Sequence, residues 1–420
     1  MKNIKQIIFL ISICMVLSGC STAKQNGSSK DSLKSKQKII LDDGFSVSNY
    51  RKNLEPNRIR MSKYLERYPS EMKEIQEKTY SKLDLSGCQY GEFPKADTVS
   101  VLKEGLDREI SADEGIRLIK KCLREMGYDN FNFKKELKDC SGQLGEKSSG
   151  EEWPTVLDQK EKCSSGNGFF INTEQCAVQI LGGGVYSMSD GSITKFLHKK
   201  SKASMDALGV YSDQIVTGGA IQALGKQNYM LLDRKTAVRD AARMTRKYFD
   251  AEMSDRNVST DIPQVEVFSL KDRYGYDFHV RRVYKGVKFA FADYGGRNTY
   301  GDYEILEDIK HAYVVNSKTV AAYAGQNQNM KLDVLLEEDK IIGLDQMLQI
   351  LDKRLAQHLK MKLDSIEFVY CPLHFEIQKD QKESIIFPFW QMSGKNVNNG
   401  QSLRIYVDAL TGEIYLYTYY

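Results

Sequence analysis

The sequence is poor in the residues and spacings that most enzyme chemistries need. Only five histidines occur in 420 residues. They are His198, His279, His311, His358 and His374, and neither an HExxH motif nor a close pair along the chain seeds a zinc site. Each is read as an ordinary surface or strand histidine. A GxSxG elbow is absent, which argues against a serine hydrolase built on that turn. No GK[ST] follows Gly182-Gly183-Gly184, so the triplet reads as a loop or bulge between strands rather than a phosphate cradle. Gly218-Gly219 and Gly295-Gly296 take the same reading. No CxxC spacing marks a zinc site. The carboxylates of Asp277, Asp293, Glu307 and Asp308 are read as solvated charges, because pairing for acid–base work needs a geometry that sequence alone does not give. An excess of one charge is lacking too: 60 Lys and Arg face 56 Asp and Glu. No basic stripe suggests nucleic acid as a partner. The expectation is therefore a chain with no catalytic residues, no metal site and no cofactor. Prolines number 7 against 24 tyrosines and 17 phenylalanines, which suits strand-rich globular structure rather than disorder.

Long apolar runs are equally scarce, and the notable one lies at the amino terminus. Lys2 and Lys5 precede a stretch, residues 7–16, that is apolar apart from Ser12 and Cys14. At roughly ten to thirteen residues it falls short of the ~20 that a spanning helix needs. It has the basic start and apolar middle of an export signal. Leu17-Ser18-Gly19-Cys20 ends the run and resembles the lipobox of bacterial lipoproteins, where a thioether links diacylglycerol to the cysteine and a peptidase cuts just before it. The resemblance implies that residues 1–19 are a signal peptide, that Cys20 is lipidated, and that membrane lipid holds the mature chain on the extracytoplasmic face of the cell membrane. Two or more acyl chains suffice for stable anchoring, where one gives only marginal binding. Residues 20–37 are rich in Ser, Lys, Gln, Gly and Asn, with Leu33 as a lone leucine, and read as a flexible tether.

Export and lipidation remove Cys14 and Cys20 from the count of free thiols. Cys88, Cys122, Cys140, Cys163, Cys176 and Cys371 remain, an even number outside the cytoplasm. Pairing within the cluster from Cys88 to Cys176 and full reduction of all six stay open; Cys371 reads as a buried thiol.

The folded part divides into an N-terminal α+β region at 38–230, a middle helix-plus-sheet module at 231–330 and a C-terminal one at 331–420. In the first, Ser111-Ala112-Asp113-Glu114 is a capping box, and Ile116, Ile119, Leu123 and Met126 follow at helical spacing, predicting a helix over 112–126. Strands are expected at 98–102, 169–171 and 177–180, with a hairpin over 186–193. In the second, Val238, Ala241, Ala242, Thr245 and Phe249 share a helical face, followed by strands at 265–270, 276–284 and 287–292 and a hairpin over 312–323. In the third, Leu344, Met347, Leu348, Leu351, Leu355 and Leu359 form a helical stripe, with strands at 365–370, 374–378 and 384–392 and a closing hairpin over 403–417. Pro388 is expected to confine its strand to an edge, a bulge or a strand end. The expected fold class is α+β: a helix followed by a twisted antiparallel sheet, repeated as two or three modules.

The ending IYVDALTGEIYLY resembles the closing hairpin of PepSY-type and YycH/YycI-type extracytoplasmic domains, matching at Asp408, Thr411 and Gly412. With RVYKGVKFAF, the helix after Leu344 and IIFPFWQMSG, the order over 237–420 resembles an uncharacterised lipoprotein family of Gram-positive bacteria, especially gut clostridia. That resemblance implies a membrane-anchored, non-catalytic binding or regulatory module whose partner is an envelope or membrane protein or a peptide. A solute-binding lipoprotein serving a transporter is the alternative, and an envelope hydrolase the third reading. Phe387, Phe389 and Trp390 are the candidate binding residues, able to line a groove or an exposed sheet edge. The competing reading is that they fill an ordinary sheet. Phe389 departs from the family pattern, which has a small or β-branched residue between Pro388 and Trp390.

Overall fold

Helical spacing of apolar residues fixes several elements locally, and the pairing of remote strands decides the rest. The computed structural model describes residues 40–41, 44–105, 110–125, 137–139, 165–166, 168–172, 176–181, 184–190, 215–252, 255–270, 273–291, 298–300, 303–305, 310–318, 320, 322–325, 332–355, 359–378 and 381–418. The expected signal peptide, Cys20 and the tether lie outside the described residues. Among the described residues no helix is long and apolar enough to cross a membrane.

The described helices are α1 (Val47–Lys52), α2 (Met61–Glu77), α3 (Ala112–Glu125), α4 (Ile221–Leu224), α5 (Val238–Glu252) and α6 (Leu344–Arg354). Helix α6 buries Leu344, Met347, Leu348 and Leu351, and ends at Arg354, short of Leu359 in the expected stripe. No side chain caps it locally. Instead the Tyr64 hydroxyl accepts the Leu344 amide at 2.7 Å, and the Glu71 carboxylate accepts the Asp345 amide at 3.4 Å. Two of the orphan donors of α6 are thus met from α2. The sequence pattern did not mark α2, whose buried face is Met61, Tyr64, Tyr68, Glu71 and Ile75. A glutamate in the stripe and Pro69 in mid-helix hide it. An interior proline costs about 3 kcal/mol, and the ring packing of Tyr64 and Tyr68 against Phe93 and Trp390 opposes that cost.

The main strands, in chain order, are β1 (Val99–Glu104), β2 (Val258–Leu270), β3 (Arg273–Tyr284), β4 (Lys310–Val314), β5 (Met361–Gln378), β6 (Gln381–Asn396), β7 (Ser402–Asp408) and β8 (Ile414–Thr418). They belong to two ten-stranded sheets. In one, Asn298–Tyr300 and Tyr303–Ile305 lead into β5, β6, β7 and β8 as an antiparallel ladder. Strand β1 enters the same sheet by pairing with the start of β6 and with Leu332–Glu338. Leu83–Asp84 and Gln89–Tyr90 pair with β5 in parallel. In the other sheet the order is Ile215–Ala220, β2, β3, β4, Ala322–Gly325, Gly184–Asp190, Cys176–Leu181, Gly168–Asn172 and Leu137–Asp139.

This corrects the expected fold class. The described chain is mostly β, 46% strand against 28% helix, in multi-stranded sheets rather than a repeated helix-then-sheet arrangement. A helix and its following hairpin would leave sheet edges with unpaired backbone groups. Here those edges are filled from far away in sequence: β1 fills part of the β6 edge, and Gly184–Asp190 pairs with Ala322–Gly325. The strands expected at 365–370 and 374–378 are one 18-residue strand, β5, paired along its length with β6.

Packing follows the same logic. One core draws Tyr50, Val101, Leu348, Val369, Trp390 and Tyr406 from both ends of the chain. The other draws Ile119, Val238, Phe249, Val267, Phe278 and Val314 together, with α5 packed on β2 and β3. Residues 47–104 therefore pack with 332–415. The two cores meet where β2 and β3 reach the first sheet. There Arg281 donates to Asp261 at 3.0 Å and to both oxygens of Glu367 at 3.0 and 3.2 Å. Its neighbour Arg282 bonds Glu104, whose second oxygen accepts the Ser384 hydroxyl at 3.1 Å.

Pro388 does not put β6 at an edge. Strand β6 lies between β5 on one side and β1 and β7 on the other. Pairing with β1 covers Ser384, Ile385 and Ile386, and pairing with β7 begins at Phe389. Pro388 sits in the gap between the two partners. Its carbonyl accepts the Ala409 amide at 2.9 Å, so its missing N–H falls on the side where neither strand requires a donor. The closing hairpin forms as expected, with Gly412 at φ +71° in the turn. Cys371 is fully buried, and burial pushes the Cys88 thiol up to about 12. The side chains of Cys122, Cys140, Cys163 and Cys176 lie outside what the structure describes.

Candidate metal centre

Phe387, Phe389 and Trp390 line neither a groove nor an open sheet edge. All three are 0% exposed. Trp390 donates its indole N–H to the Ile342 carbonyl at 2.9 Å and packs with its ring 5.0 Å from that of Phe368. Phe389 packs edge-on against Tyr406 and Tyr415, each at 5.5 Å. Phe387 meets Phe45 at 5.5 Å and Tyr50 at 5.6 Å. Strand β6 is covered on both faces, and such a strand reads as an unbroken apolar run rather than an alternation. The aromatic segment is core.

The turn residues Asp408, Thr411 and Gly412 build a structural device. The buried Asp408 carboxylate accepts the Tyr50 hydroxyl at 2.7 and 2.9 Å on its two oxygens, and the amides of Leu410 and Thr411 at 2.8 and 3.2 Å. Burial pushes its pKa up to about 6, against the opposing pull of these donors. The carboxylate ties α1 to the closing hairpin, and its hydrogen-bonding capacity is spent inside the fold.

A different constellation arises where β3 and β4 run side by side. Strand alternation sends Tyr276, Phe278 and Val280 into the core beneath α5, along with Ala312 and Val314. The same alternation places Asp277, His279 and Arg281 of β3, with His311 and Tyr313 of β4, on the opposite face. Register sets His279 directly across from His311 and Asp277 across from Tyr313. The imidazole centroids are 4.5 Å apart. His311 Nδ1 lies 3.2 Å from each oxygen of Asp277. One ligand atom from each of Asp277, His279 and His311 falls within 4.8 Å of the others. His279 is 3% exposed and Asp277 9%, whereas the His311 side chain is 23% exposed, so solvent reaches the cluster from the His311 side.

The surroundings favour positive charge at this point. Strand β2 sets Glu266 across from Asp277. Burial, reinforced by the charges of Asp277 and Glu266, pushes the Tyr313 hydroxyl well above its ordinary pKa, so it stays a neutral phenol. The Tyr313 ring stacks on His311 at 6.4 Å and 17°, and Phe291 lies 5.5 Å from His279. Arg281, next along the same face, is engaged by Asp261 and Glu367. Two imidazoles and a carboxylate form a donor set that suits a divalent transition ion, and the same atoms also make an Asp–His hydrogen bond.

The expectation that the histidines stand apart fails for this pair, because register brings together residues that sequence separates. One signal was present: Asp277-Phe278-His279 in a strand puts the first and third side chains on one face. His374 on β5 pairs across from Ser384, outside this cluster. His198, His358, Asp293, Glu307 and Asp308 lie outside the described residues. Compared with known proteins, the chain matches no family model and no curated protein.

Proposed function

We propose that this chain is a lipoprotein tethered through Cys20 to the extracytoplasmic face of a bacterial cell membrane, where it acts as a non-catalytic binding or regulatory module. The observation that carries this reading is Leu17-Ser18-Gly19-Cys20 at the end of a basic start and a short apolar run. The polar stretch of residues 20–37 supports it, because it has nothing to bury and lifts a folded body clear of the headgroups. The partner class is an envelope or membrane protein or a peptide, the same class that the resemblance of the Asp408, Thr411 and Gly412 hairpin implies. Labelling of cells with an alkyne fatty acid tests the anchor: the parent chain takes up label, and a Cys20→Ala chain takes up none and retains residues 1–19. Equal labelling of the two would remove the basis of the proposal. Crosslinking on intact cells then tests the partner, and capture of no envelope protein or peptide argues against the binding role.

A second reading, a solute-binding lipoprotein serving a transporter, is favoured by the Asp277, His279 and His311 cluster, which offers a site to a small ionic solute.

A further inference from the structure

We propose that Asp277, His279 and His311 bind a divalent first-row transition metal ion through one carboxylate oxygen and two imidazole nitrogens. The inference goes beyond the anchored-module reading and stands independently of it, since it rests on the register of β3 and β4 and not on the amino terminus.

Geometry comes first. Two ligand atoms bonded to one ion at about 2.1 Å, and about 100° apart, are separated by about 3.2 Å. The Asp277 oxygens and His311 Nδ1 already stand at 3.2 Å. All three residues offer ligand atoms within 4.8 Å of one another, and an ion bonded at about 2.1 Å draws each pair to within about 4.2 Å. The scaffold is rigid where it needs to be: the three residues sit on adjacent hydrogen-bonded strands, which hold side chains more closely than loops do.

Charge and donor type select the ion. Asp277 brings one negative charge, and Glu266 on the neighbouring strand lies on the same face, directly across from it. The nearest cation along β3, Arg281, is held between Asp261 and Glu367. Asp277 thus supplies a carboxylate to the ion directly, with the Glu266 carboxylate on the neighbouring strand. Imidazole nitrogen suits zinc, iron, cobalt, nickel and copper, whereas calcium and magnesium take oxygen ligands almost exclusively. Three protein ligands leave at least one position for water or a further ligand, on the side where His311 is partly exposed.

The competing account is an Asp277–His311 hydrogen bond with His279 packed beside it. Metal binding uses both rings.

The test uses the full chain purified in detergent, titrated with Zn²⁺ by calorimetry and with Co²⁺ by visible absorption. One equivalent of each binds at micromolar affinity or tighter, Co²⁺ develops ligand-field bands, and excess Mg²⁺ or Ca²⁺ does not compete. His311→Ala and Asp277→Asn each weaken Zn²⁺ binding by more than about 100-fold, because loss of an outer-shell partner alone costs about 10- to 100-fold. His374→Ala, outside the cluster, leaves affinity unchanged. A second measurement does not depend on variants that fold: Zn²⁺ protects His311 of the parent chain from carbethoxylation, read by peptide mass spectrometry. Absence of stoichiometric Zn²⁺ or Co²⁺ binding by the parent overturns the proposal. So does undiminished binding by a folded His311→Ala chain, or unprotected His311 at saturating Zn²⁺.

Discussion

Replacing Asp408 by asparagine removes a charge from the centre of the first core, and the consequence depends on pH in a direction that can be worked out beforehand. Asp408 is 0% exposed, and burial lifts its pKa from the ordinary 3.8 to about 6. The folded state therefore holds this proton more tightly than the unfolded state does. Between about pH 4 and pH 6 the folded chain binds the extra proton, so the contribution of Asp408 to stability falls as pH rises through that window. The full difference corresponds to about 3 kcal/mol. The asparagine side chain cannot ionise, and its amide oxygen still accepts from the Leu410 and Thr411 amides while the Tyr50 hydroxyl rotates to accept from its nitrogen. The expected outcome is that the Asp408→Asn variant gains on the parent by up to about 3 kcal/mol as pH is raised from 4 to 7. The assay is urea unfolding followed by tryptophan fluorescence, since Trp390 shares a core with Asp408 and its neighbours Val407 and Ala409. Taking the difference between variant and parent cancels the opposite pH dependence of Asp84, Glu337 and Asp345, whose pKa values are lowered. A difference that does not change with pH would show that burial does not raise the Asp408 pKa. A gain by the parent as pH rises would show that Tyr50 and the turn amides outweigh burial.

Trp390→Ala opens a void among Tyr64, Phe93 and Phe368 and orphans the Ile342 carbonyl, and should cost about 3–5 kcal/mol in urea unfolding followed by circular dichroism; a loss under about 1 kcal/mol would place the indole outside the core. Glu104→Ala leaves Arg282 charged and 3% exposed, and should destabilise by about 3–5 kcal/mol, with much of that recovered in the double variant Glu104→Ala, Arg282→Met. An additive double variant would deny the coupling. Cys88 and Cys371 should resist iodoacetamide in the folded chain and react after denaturation, because both are buried and burial raises the Cys88 thiol pKa. Rapid native labelling of Cys371 would contradict the packing of β5.

The elements that sequence made legible are those whose signal is local. The stripe from Leu344 to Leu351 and the face Val238, Ala241, Ala242 and Phe249 each repeat at helical spacing, and both became helices. The helix expected after Ser111 forms as α3, starting at Ala112, and Leu410-Thr411-Gly412 turns the closing hairpin. The arrangement of sheets was not legible, because a strand carries no mark of which remote strand it will pair with. Nothing in Ser384, Ile385 or Ile386 announces Leu102, Lys103 or Glu104 as partners. Helix α2 was hidden by Pro69 and by Glu71, whose carboxylate is drawn inward to cap α6. Phe387 and Phe389 looked like a ligand surface because both faces of β6 are buried, which erases the alternation that separates core from surface. His279 and His311 meet only through register, and their isolation along the chain concealed a cluster that offers a metal two nitrogens and an oxygen.

Mass spectrometry of the N-terminal peptide of the chain, extracted from the membranes of its own cells, decides whether Cys20 is the anchor. An anchored chain yields a peptide that begins at Cys20 and carries diacylglycerol in thioether linkage, with residues 1–19 gone. An unmodified Cys20 inside a peptide that still contains Leu17-Ser18-Gly19 would contradict it.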